Sequence, residues 1–253
     1  MTNHIEQLNP TSRFSNRVDN YSKYRPSYPV EIIDFLQQAI GLQKDWTVAD
    51  IGSGTGIFSE LLLRRGYKVL GIEPNKEMRG EAEKNLSCFE GFTSINARAE
   101  ETFLPGDSVH LITVAQAFHW MDKGVTKKEF RRISKPGGFM AMIWNVRLMT
   151  TPFLNEFEEL KLKFGTDYKA TRMVNEKELA GFFDPKPMTR KNFNHGQVLD
   201  FESLKGQLLS SSYIPLEGES QQCMIKELKD IFNKFNENGF VKIEYQATVF
   251  VNA

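Results

Sequence analysis

Runs of consecutive apolar residues alternate with amphipathic stretches through residues 47–145 of the chain. Four runs are apolar at successive positions, as in parallel strands that are buried on both faces; they are Val48–Ile51, Val69–Ile72, Val109–Ala115 and Phe139–Trp144. Between them the apolar positions recur at helical spacing, which predicts helices over Ile57–Arg65, Lys76–Leu86 and Lys123–Ser134. This alternation predicts an α/β fold with a doubly wound, Rossmann-like and mainly parallel sheet.

The pattern changes after Asn145, where strands and helices no longer alternate regularly. Residues 152–183 are predicted to be mostly helical, and two later stretches are predicted to form a final antiparallel strand pair, 189–199 and 241–251. Pro26 and Pro29 exclude a continuous helix through the start of the chain. We therefore divide the chain into an N-terminal segment 1–30, an α/β core 31–145, a helical cap insertion 146–188 and a C-terminal completion of the sheet 189–253.

The composition of the chain argues against several kinds of partner, location and metal site. The chain has 32 basic and 32 acidic residues, so nothing favours binding to nucleic acid or to an anionic membrane. No stretch approaches the roughly 18 apolar residues of a membrane helix, and the polar first residues lack the apolar core of a signal peptide. The only two cysteines, Cys88 and Cys223, give neither a disulfide framework nor a zinc-ligand spacing. We expect a cytoplasmic protein without a metal.

A glycine-rich turn follows the first predicted strand. Three glycines alternate with other residues through Gly52–Gly56, at the carboxyl end of the strand, where open α/β sheets bind ligands. Such a turn can also serve only to join a strand to a helix. In the dinucleotide motif Gly-x-Gly-x-x-Gly, the third glycine would stand one residue past Gly56, and Ile57 occupies that position.

Two carboxylates flank this turn. Asp50 stands two residues before Gly52, where it suits a ligand that carries an ammonium group and would be badly placed beside a pyrophosphate. Glu73 ends the second strand, 21 residues past Gly52, where a carboxylate can accept hydrogen bonds from both ribose hydroxyls. Together these residues predict a ligand that is a nucleoside with an amino-acid tail.

The motifs resemble those of the class I S-adenosylmethionine-dependent methyltransferases, and specifically the type 11 group related to trans-aconitate methyltransferase. The resemblance covers most of the chain. The matching segments, in order, are Tyr24–Pro29, Val48–Gly56, Gly71–Met78, Ala97–Pro105, Ala115–Trp120 and Ser134–Gly138. In the last of these, Pro136-Gly137-Gly138 is predicted to end a helix and to turn the chain into the fifth strand.

The resemblance implies a site for S-adenosylmethionine. Asp50 would hold the methionine ammonium, directly or through water, and Glu73 would bind the ribose. The segment 1–30 would form a lid over the cofactor. The implied cofactor-binding residues are Arg25, Tyr28, Asp50, Gly52, Ser53, Gly54, Glu73, Pro74, Asn75, Met78, Arg98, Ala99, Ala115 and Gln116.

Residues at the ends of the next strands are candidates for contact with a methyl acceptor. His119 can act as a general base or can only pack beside the cofactor. Arg147 can pair with a substrate carboxylate or lie at the surface, and Tyr213 can line the pocket or end a helix. The remaining candidates are Trp120 and Trp144.

The resemblance implies transfer of a methyl group to an O, N or C atom of a small molecule, with a carboxylate or hydroxyl acceptor favoured. Two other functions are compatible with the sequence. A nicotinamide-dependent oxidoreductase is disfavoured by Ile57 and Asp50, and a protein that binds the cofactor without catalysis is not excluded. We expect a monomer or a homodimer.

Overall fold

The computed structural model describes residues 17–166 and 175–253. Seven strands form one sheet in the order β3-β2-β1-β4-β5-β7-β6. Their bounds are β1 Thr47–Ile51, β2 Lys68–Ile72, β3 Phe92–Ile95, β4 Val109–Ala115, β5 Ser134–Arg147, β6 Thr189–Leu199 and β7 Val241–Val251. The first five strands are parallel, and β7 runs antiparallel to both β5 and β6. The predicted mainly parallel sheet with a final antiparallel pair is confirmed.

Nine α-helices lie in the described part of the chain. Their bounds are α1 Val18–Tyr24, α2 Glu31–Ile40, α3 Ile57–Arg64, α4 Lys76–Asn85, α5 Lys123–Ile133, α6 Pro152–Phe164, α7 Glu176–Phe183, α8 Phe201–Leu209 and α9 Gly218–Phe235. A single turn of 3₁₀ helix covers Phe118–Trp120. Within residues 17–166 and 175–253, no helix is both long enough and apolar enough to span a bilayer.

Alternate residues of the strands bury opposite faces of the sheet. Val48 and Ile143 pack with α2 and α3 on one face, whereas Ala49 and Trp144 pack with α5 and α7 on the other. Helices α6, α8 and α9 cover the end of the sheet formed by β6 and β7. Because side chains alternate across a strand, this double burial explains why the strands are apolar at successive positions.

The segment 146–188 contributes to two different packing clusters. Helix α6 packs with α8 and α9, while α7 inserts Leu179, Phe182 and Phe183 into the core beside α5. Residues 167–174, between these helices, and residues 1–16 of the N-terminal segment lie outside the described residues. The boundaries of the four segments stay predictions.

Local differences from the predicted elements have physical causes. Strand β5 already begins at Ser134, so Pro136-Gly137-Gly138 lies within it; its register with β4 shifts between Val109 and Leu111, which accommodates the irregular backbone. Strand β3 was not predicted, because Phe92-Thr93-Ser94-Ile95 is only partly buried at the sheet edge. Helix α1 ends at Tyr24, before both prolines, so they exclude only its continuation.

Candidate functional site

The glycine turn fits closely between β1 and its neighbours. Gly52, Gly54 and Gly56 all have positive φ, at 70°, 57° and 85°. A Cβ on Gly52 would lie 2.5 Å from the Ala117 Cβ, and one on Gly56 would lie 2.6 Å from the Leu86 Cδ1. Both the backbone conformation and the close approach therefore require glycine.

Asp50 lies buried beneath this turn. Its Oδ2 accepts a hydrogen bond from Ser59 Oγ at 2.6 Å, and its Oδ1 accepts one from Thr113 Oγ1 at 2.9 Å. Burial raises the pKa of Asp50 from 3.8 to about 6, and the hydrogen bonds from Ser59 and Thr113 oppose that rise. Asp50 thus ties β1 to α3 and β4, and each carboxylate oxygen keeps lone-pair capacity for a further donor.

Glu73 joins the glycine turn to the loop after β2. Its Oε2 accepts from the Gly54 amide at 3.0 Å, and its Oε1 accepts from the Asn75 amide at 2.8 Å. Burial is the largest influence on its pKa and raises it, whereas the two amides lower it. The carboxylate is therefore held rigidly in one orientation and, like Asp50, keeps acceptor capacity.

The start of α4 completes this part of the site. Asn75 caps the helix, its side chain accepting from the Met78 amide at 2.8 Å. The Met78 Cε lies 3.5 Å from the position of a Cβ on Gly54, so the methionine faces the turn. Arg79 donates to the Glu73 carbonyl at 3.0 Å and fixes the intervening loop with Pro74. The structure thus brings Gly54, Glu73, Asn75 and Met78 together.

In the segment that is predicted to flank the adenine, Arg98 is exposed and Ala99 is buried. Arg98 has a side chain that is 57% exposed and pairs with Glu100 at 3.5 Å. Ala99 is buried. Glu100 also accepts from the Asp122 amide at 2.8 Å, which fixes this segment to the start of α5. The Arg98 side chain lies away from the core, so what this segment offers a buried ligand is its backbone and Ala99.

A chain of hydrogen bonds links the ends of β4 and β5 to the N-terminal segment. Gln116, which follows Ala115 and has a φ of 59°, donates from Nε2 to the Asn145 carbonyl at 2.8 Å. The Asn145 side chain donates to the Ser27 carbonyl at 3.0 Å, and its Oδ1 lies 2.7 Å from His195 Nε2. A left-handed conformation is rare for a residue other than glycine and often marks a functional position.

His119 and Trp120 emerge after β4, as predicted, in the 3₁₀ turn. Their rings are 4.7 Å apart and inclined at 45°, and His119 is exposed.

Trp144, another acceptor candidate, is buried. The centroid of its ring lies 6.2 Å from that of Phe118 and 5.9 Å from that of Phe250. Trp144 points to the opposite face of β5 from Asn145 and Arg147, so the structure separates it from the candidate Arg147.

A second polar cluster lies beside the end of β5. Arg147 pairs with Glu158 at 3.2 Å, and Glu158 also binds the fully buried Lys161. The pKa of Lys161 is lowered to about 7; burial is the main cause, the charge of Arg147 also lowers it, and Glu158 opposes the shift. The sequence reasoning missed Glu158 and Lys161, because both lie in what reads as an ordinary amphipathic helix.

The described part of the N-terminal segment, residues 17–30, is bonded to the chain around the end of α8. Arg17 donates to the carbonyls of Leu209, Ser211 and Ile214 at 2.9, 2.5 and 2.5 Å. Arg25 donates to the Ser210 carbonyl at 3.3 Å. The segment is thereby anchored to α8 and to the loop that leads to Tyr213.

Tyr28 lies at the other end of the segment, toward the glycine turn. Its ring meets Phe58 edge to face at 5.2 Å between centroids. Burial raises its pKa well above the usual value, and the neighbouring Tyr21 and Asp50 raise it further. The hydroxyl is therefore a neutral hydrogen-bonding group close to Asp50. Tyr28 and Arg25 place the N-terminal segment between the two polar clusters.

Sequence and structural comparisons agree with this architecture. Residues 49–142 match a family described as a methyltransferase domain. A Dictyostelium discoideum protein with a provisional methyltransferase name is 32% identical over 233 residues, which span 88% of this chain and 85% of the relative. An uncharacterized methyltransferase of Mycobacterium tuberculosis is 34% identical over 147 residues, which span only 58% of each chain.

One solved structure with a related fold contains a spent cofactor. The geranyl diphosphate C-methyltransferase of Streptomyces coelicolor, in complex with S-adenosyl-L-homocysteine, has a TM-score of 0.52 and 15% identity and covers 100% of this chain and 99% of its own. That likeness concerns the fold, whereas the domain match and the 32% identity to the Dictyostelium protein show that the chain belongs to the methyltransferase family.

Proposed function

We propose that the protein transfers a methyl group from S-adenosylmethionine to an oxygen of a small-molecule acceptor, either a carboxylate or a hydroxyl. The carrying observation is that Glu73 binds the amides of Gly54 and Asn75 at 3.0 and 2.8 Å. This arrangement fixes a partly buried carboxylate where two loops meet at the carboxyl edge of the sheet. A closer kinship with trans-aconitate methyltransferase and a cytoplasmic location belong to the same proposal.

The residues present fit this cofactor. Asp50 and Glu73 have acceptor capacity left for an ammonium and for ribose hydroxyls, respectively. The absence of a Cβ at Gly52 and Gly54 lets a ligand approach the backbone. Met78 and Ala99 offer apolar surface for the adenine. When bound, S-adenosylmethionine supplies an electrophilic methyl group on a sulfonium, which the acceptor oxygen takes up by displacing the sulfur.

The protein's own contribution to the rate is alignment. The hydrogen bonds among Gln116, Asn145 and Ser27 hold the ends of β4 and β5 against the N-terminal segment. That arrangement restricts the direction from which an acceptor can approach. A carboxylate acceptor is already ionised at neutral pH, so it needs no base; for a hydroxyl acceptor, His119 is the candidate.

Two measurements test this proposal. Isothermal titration should detect S-adenosylhomocysteine binding and no NAD binding; the reverse result would contradict the assignment. Incubation with methyl-labelled S-adenosylmethionine and a small-molecule extract should yield a labelled product that requires the protein. Cofactor binding without any labelled product would favour the alternative, a cofactor-binding protein without catalysis.

A further inference from the structure

We propose that Arg25, Arg147 and Lys161 form a subsite for an oxyanion group of the acceptor, a carboxylate or a phosphate, distinct from the atom that receives the methyl group. This inference rests on the proposed function and concerns the substrate class. The three residues come from separate parts of the fold: the N-terminal segment, the end of β5 and the middle of α6.

The cations converge on one face of the sheet. Arg147, the last residue of β5, lies directly opposite Tyr245 of β7, which in turn lies opposite His195 of β6. Directly opposite residues of neighbouring strands point to the same face. The charges of Arg147 and Arg25 both lower the pKa of Tyr245 and that of Lys161, which puts all four side chains within electrostatic range of one another.

The guanidinium groups have unused donors. Arg25 Nε and Arg147 Nε are both buried, and neither has a hydrogen-bond partner among the described residues. Buried polar atoms are nearly always paired, and leaving a charged donor unsatisfied costs free energy. Two such atoms in one cluster therefore indicate a ligand that accepts hydrogen bonds.

The cluster is rich in positive charge. Glu158 pairs with both Arg147 and Lys161, and within residues 17–166 and 175–253 no carboxylate forms an ion pair with Arg25. Arg17, which donates to Ser211, adds a further positive charge nearby. Buried charges are expected to be paired, and an oxyanion presents to a guanidinium the geometry that gives its strongest hydrogen bonds.

The subsite is displaced from the place where methyl transfer is proposed. Asn145 is bonded to Gln116, at the end of β4, and to Ser27. Arg147 lies two residues farther along β5, a distance of about 7 Å at the rise of a strand. An oxyanion held at Arg147 is therefore not the atom beside Gln116, and the acceptor must carry the anionic group in addition to its nucleophile.

The test combines charge fractionation with variants. A small-molecule extract is separated by ion exchange into acidic, neutral and basic pools, and each pool is incubated with the protein and methyl-labelled S-adenosylmethionine. We expect the labelled product from the acidic pool alone, and we expect it to remain anionic after methylation because the bound group does not react. Phosphatase treatment of that pool distinguishes the two sources: activity that survives indicates a carboxylate, and activity that is lost indicates a phosphate.

Two variants link the result to these residues. Arg147→Gln and Lys161→Met should lower kcat/KM for the acidic pool about tenfold or more, because each removes a charged hydrogen bond to the acceptor. Binding of S-adenosylhomocysteine should stay unchanged in both, which also shows that they are folded. Arg190→Gln is the matched control, since Arg190 pairs with Glu176 on the surface at 2.6 Å, and it should react like the wild type.

The outcomes separate the inference from the proposed function. A labelled product from the neutral or basic pool would leave the methyltransferase function standing and overturn the oxyanion subsite. Equal turnover of the acidic pool by wild type, Arg147→Gln and Lys161→Met would overturn it as well. Absence of transfer from every pool would contradict the proposed function itself.

Discussion

The buried Asp50 and the partly buried Glu73 have different surroundings within the same site. Asp50 binds hydroxyl groups of α3 and β4, whereas Glu73 binds amides of two loops. Hydroxyl groups can reorient, but amides are fixed by the backbone, so Glu73 has the more rigid surroundings. Each carboxylate joins two segments of the chain through these hydrogen bonds.

Glu73→Ala is expected to weaken binding of S-adenosylhomocysteine by roughly 2–4 kcal/mol, because charged hydrogen bonds to the ribose are lost. The amides of Gly54 and Asn75 also lose their acceptor. Titration calorimetry measures the change directly. Glu90→Ala, at an exposed position, is the control and should bind like the wild type; an unchanged affinity in Glu73→Ala would contradict the ribose assignment.

Asp50 makes cofactor binding dependent on pH. Its pKa is about 6 in the protein, and an ammonium nearby favours the ionised form, so binding should release a proton near pH 6. The affinity for S-adenosylhomocysteine should therefore rise about tenfold from pH 5 to pH 7. Asp50→Asn should flatten this rise, and the exposed Asp45→Asn should not; a flat wild-type profile would refute the proximity of Asp50 to the ammonium.

The raised pKa of Asp50 also makes the stability of the folded protein depend on pH. The pKa of Asp50 is raised from 3.8 to about 6, so the folded protein holds this proton more tightly than the unfolded chain. The resulting contribution to stability is fully present below pH 3.8 and is lost as the pH rises through about 6. Cofactor binding thus compensates at neutral pH for a carboxylate that is costly to bury.

The sequence predicts those site residues that belong to short local motifs. Asp50, Glu73 and Asn75 belong to short motifs at the ends of predicted strands, and the topology of a doubly wound sheet brings those ends together. Lys161 and His195 have no such motif. Each is one of several polar residues in its helix or strand, and only the packing of α6 and the pairing of β6 with β7 reveal what it faces.

At the scale of elements, α1 is held by its contact with α8. A Cβ on Gly206 would lie 2.2 Å from the Tyr24 ring, so this glycine lets the two helices approach. Gly206→Ala should push α1 away, costing about 1–3 kcal/mol of stability and loosening the helix backbone at Lys23, a trypsin site whose side chain is already exposed. Cleavage there should be faster than in the wild type.

Gly80→Ala is the matched control for that substitution. Gly80 lies inside α4, and a Cβ there would meet nothing within 4 Å. Alanine at such a site should stabilise the helix by about 0.5–1 kcal/mol and should leave the cleavage rate at Lys23 unchanged. Equal rates in both variants and the wild type would show that α1 does not depend on its contact with α8.

Strands with continuous apolar runs were predicted more accurately than the edge strand β3 and the short helix α1. The buried strands β1, β2 and β4 are confirmed, because burial on both faces leaves an unmistakable apolar run. Strand β3 has one edge exposed and a mixed pattern, and α1 is only seven residues long, so local pattern could not establish either. Their positions are set by contacts with elements that are distant in sequence.

At the scale of the whole molecule, α7 closes one face of the sheet through aromatic contacts. The Phe182 ring meets Phe118 at 4.9 Å and Phe130 at 5.9 Å between centroids. Phe182→Ala should therefore lower the free energy of unfolding by about 3–5 kcal/mol, as measured by urea denaturation. Phe240→Ala, where the ring is 48% exposed, should cost far less; similar losses would mean that α7 is not part of the cooperative core.

The residues that face the two proposed ligands are distributed very differently along the chain. Apart from the lid residues Arg25 and Tyr28, those assigned to the cofactor all lie between Asp50 and Gln116, whereas the oxyanion subsite draws on the N-terminal segment, the end of β5 and α6. The insertion of β7 between β5 and β6 is what brings Tyr245 beside Arg147. Mutations can therefore accumulate in the oxyanion subsite without disturbing cofactor binding. Closely related proteins can then differ in their methyl acceptor while they use the same methyl donor.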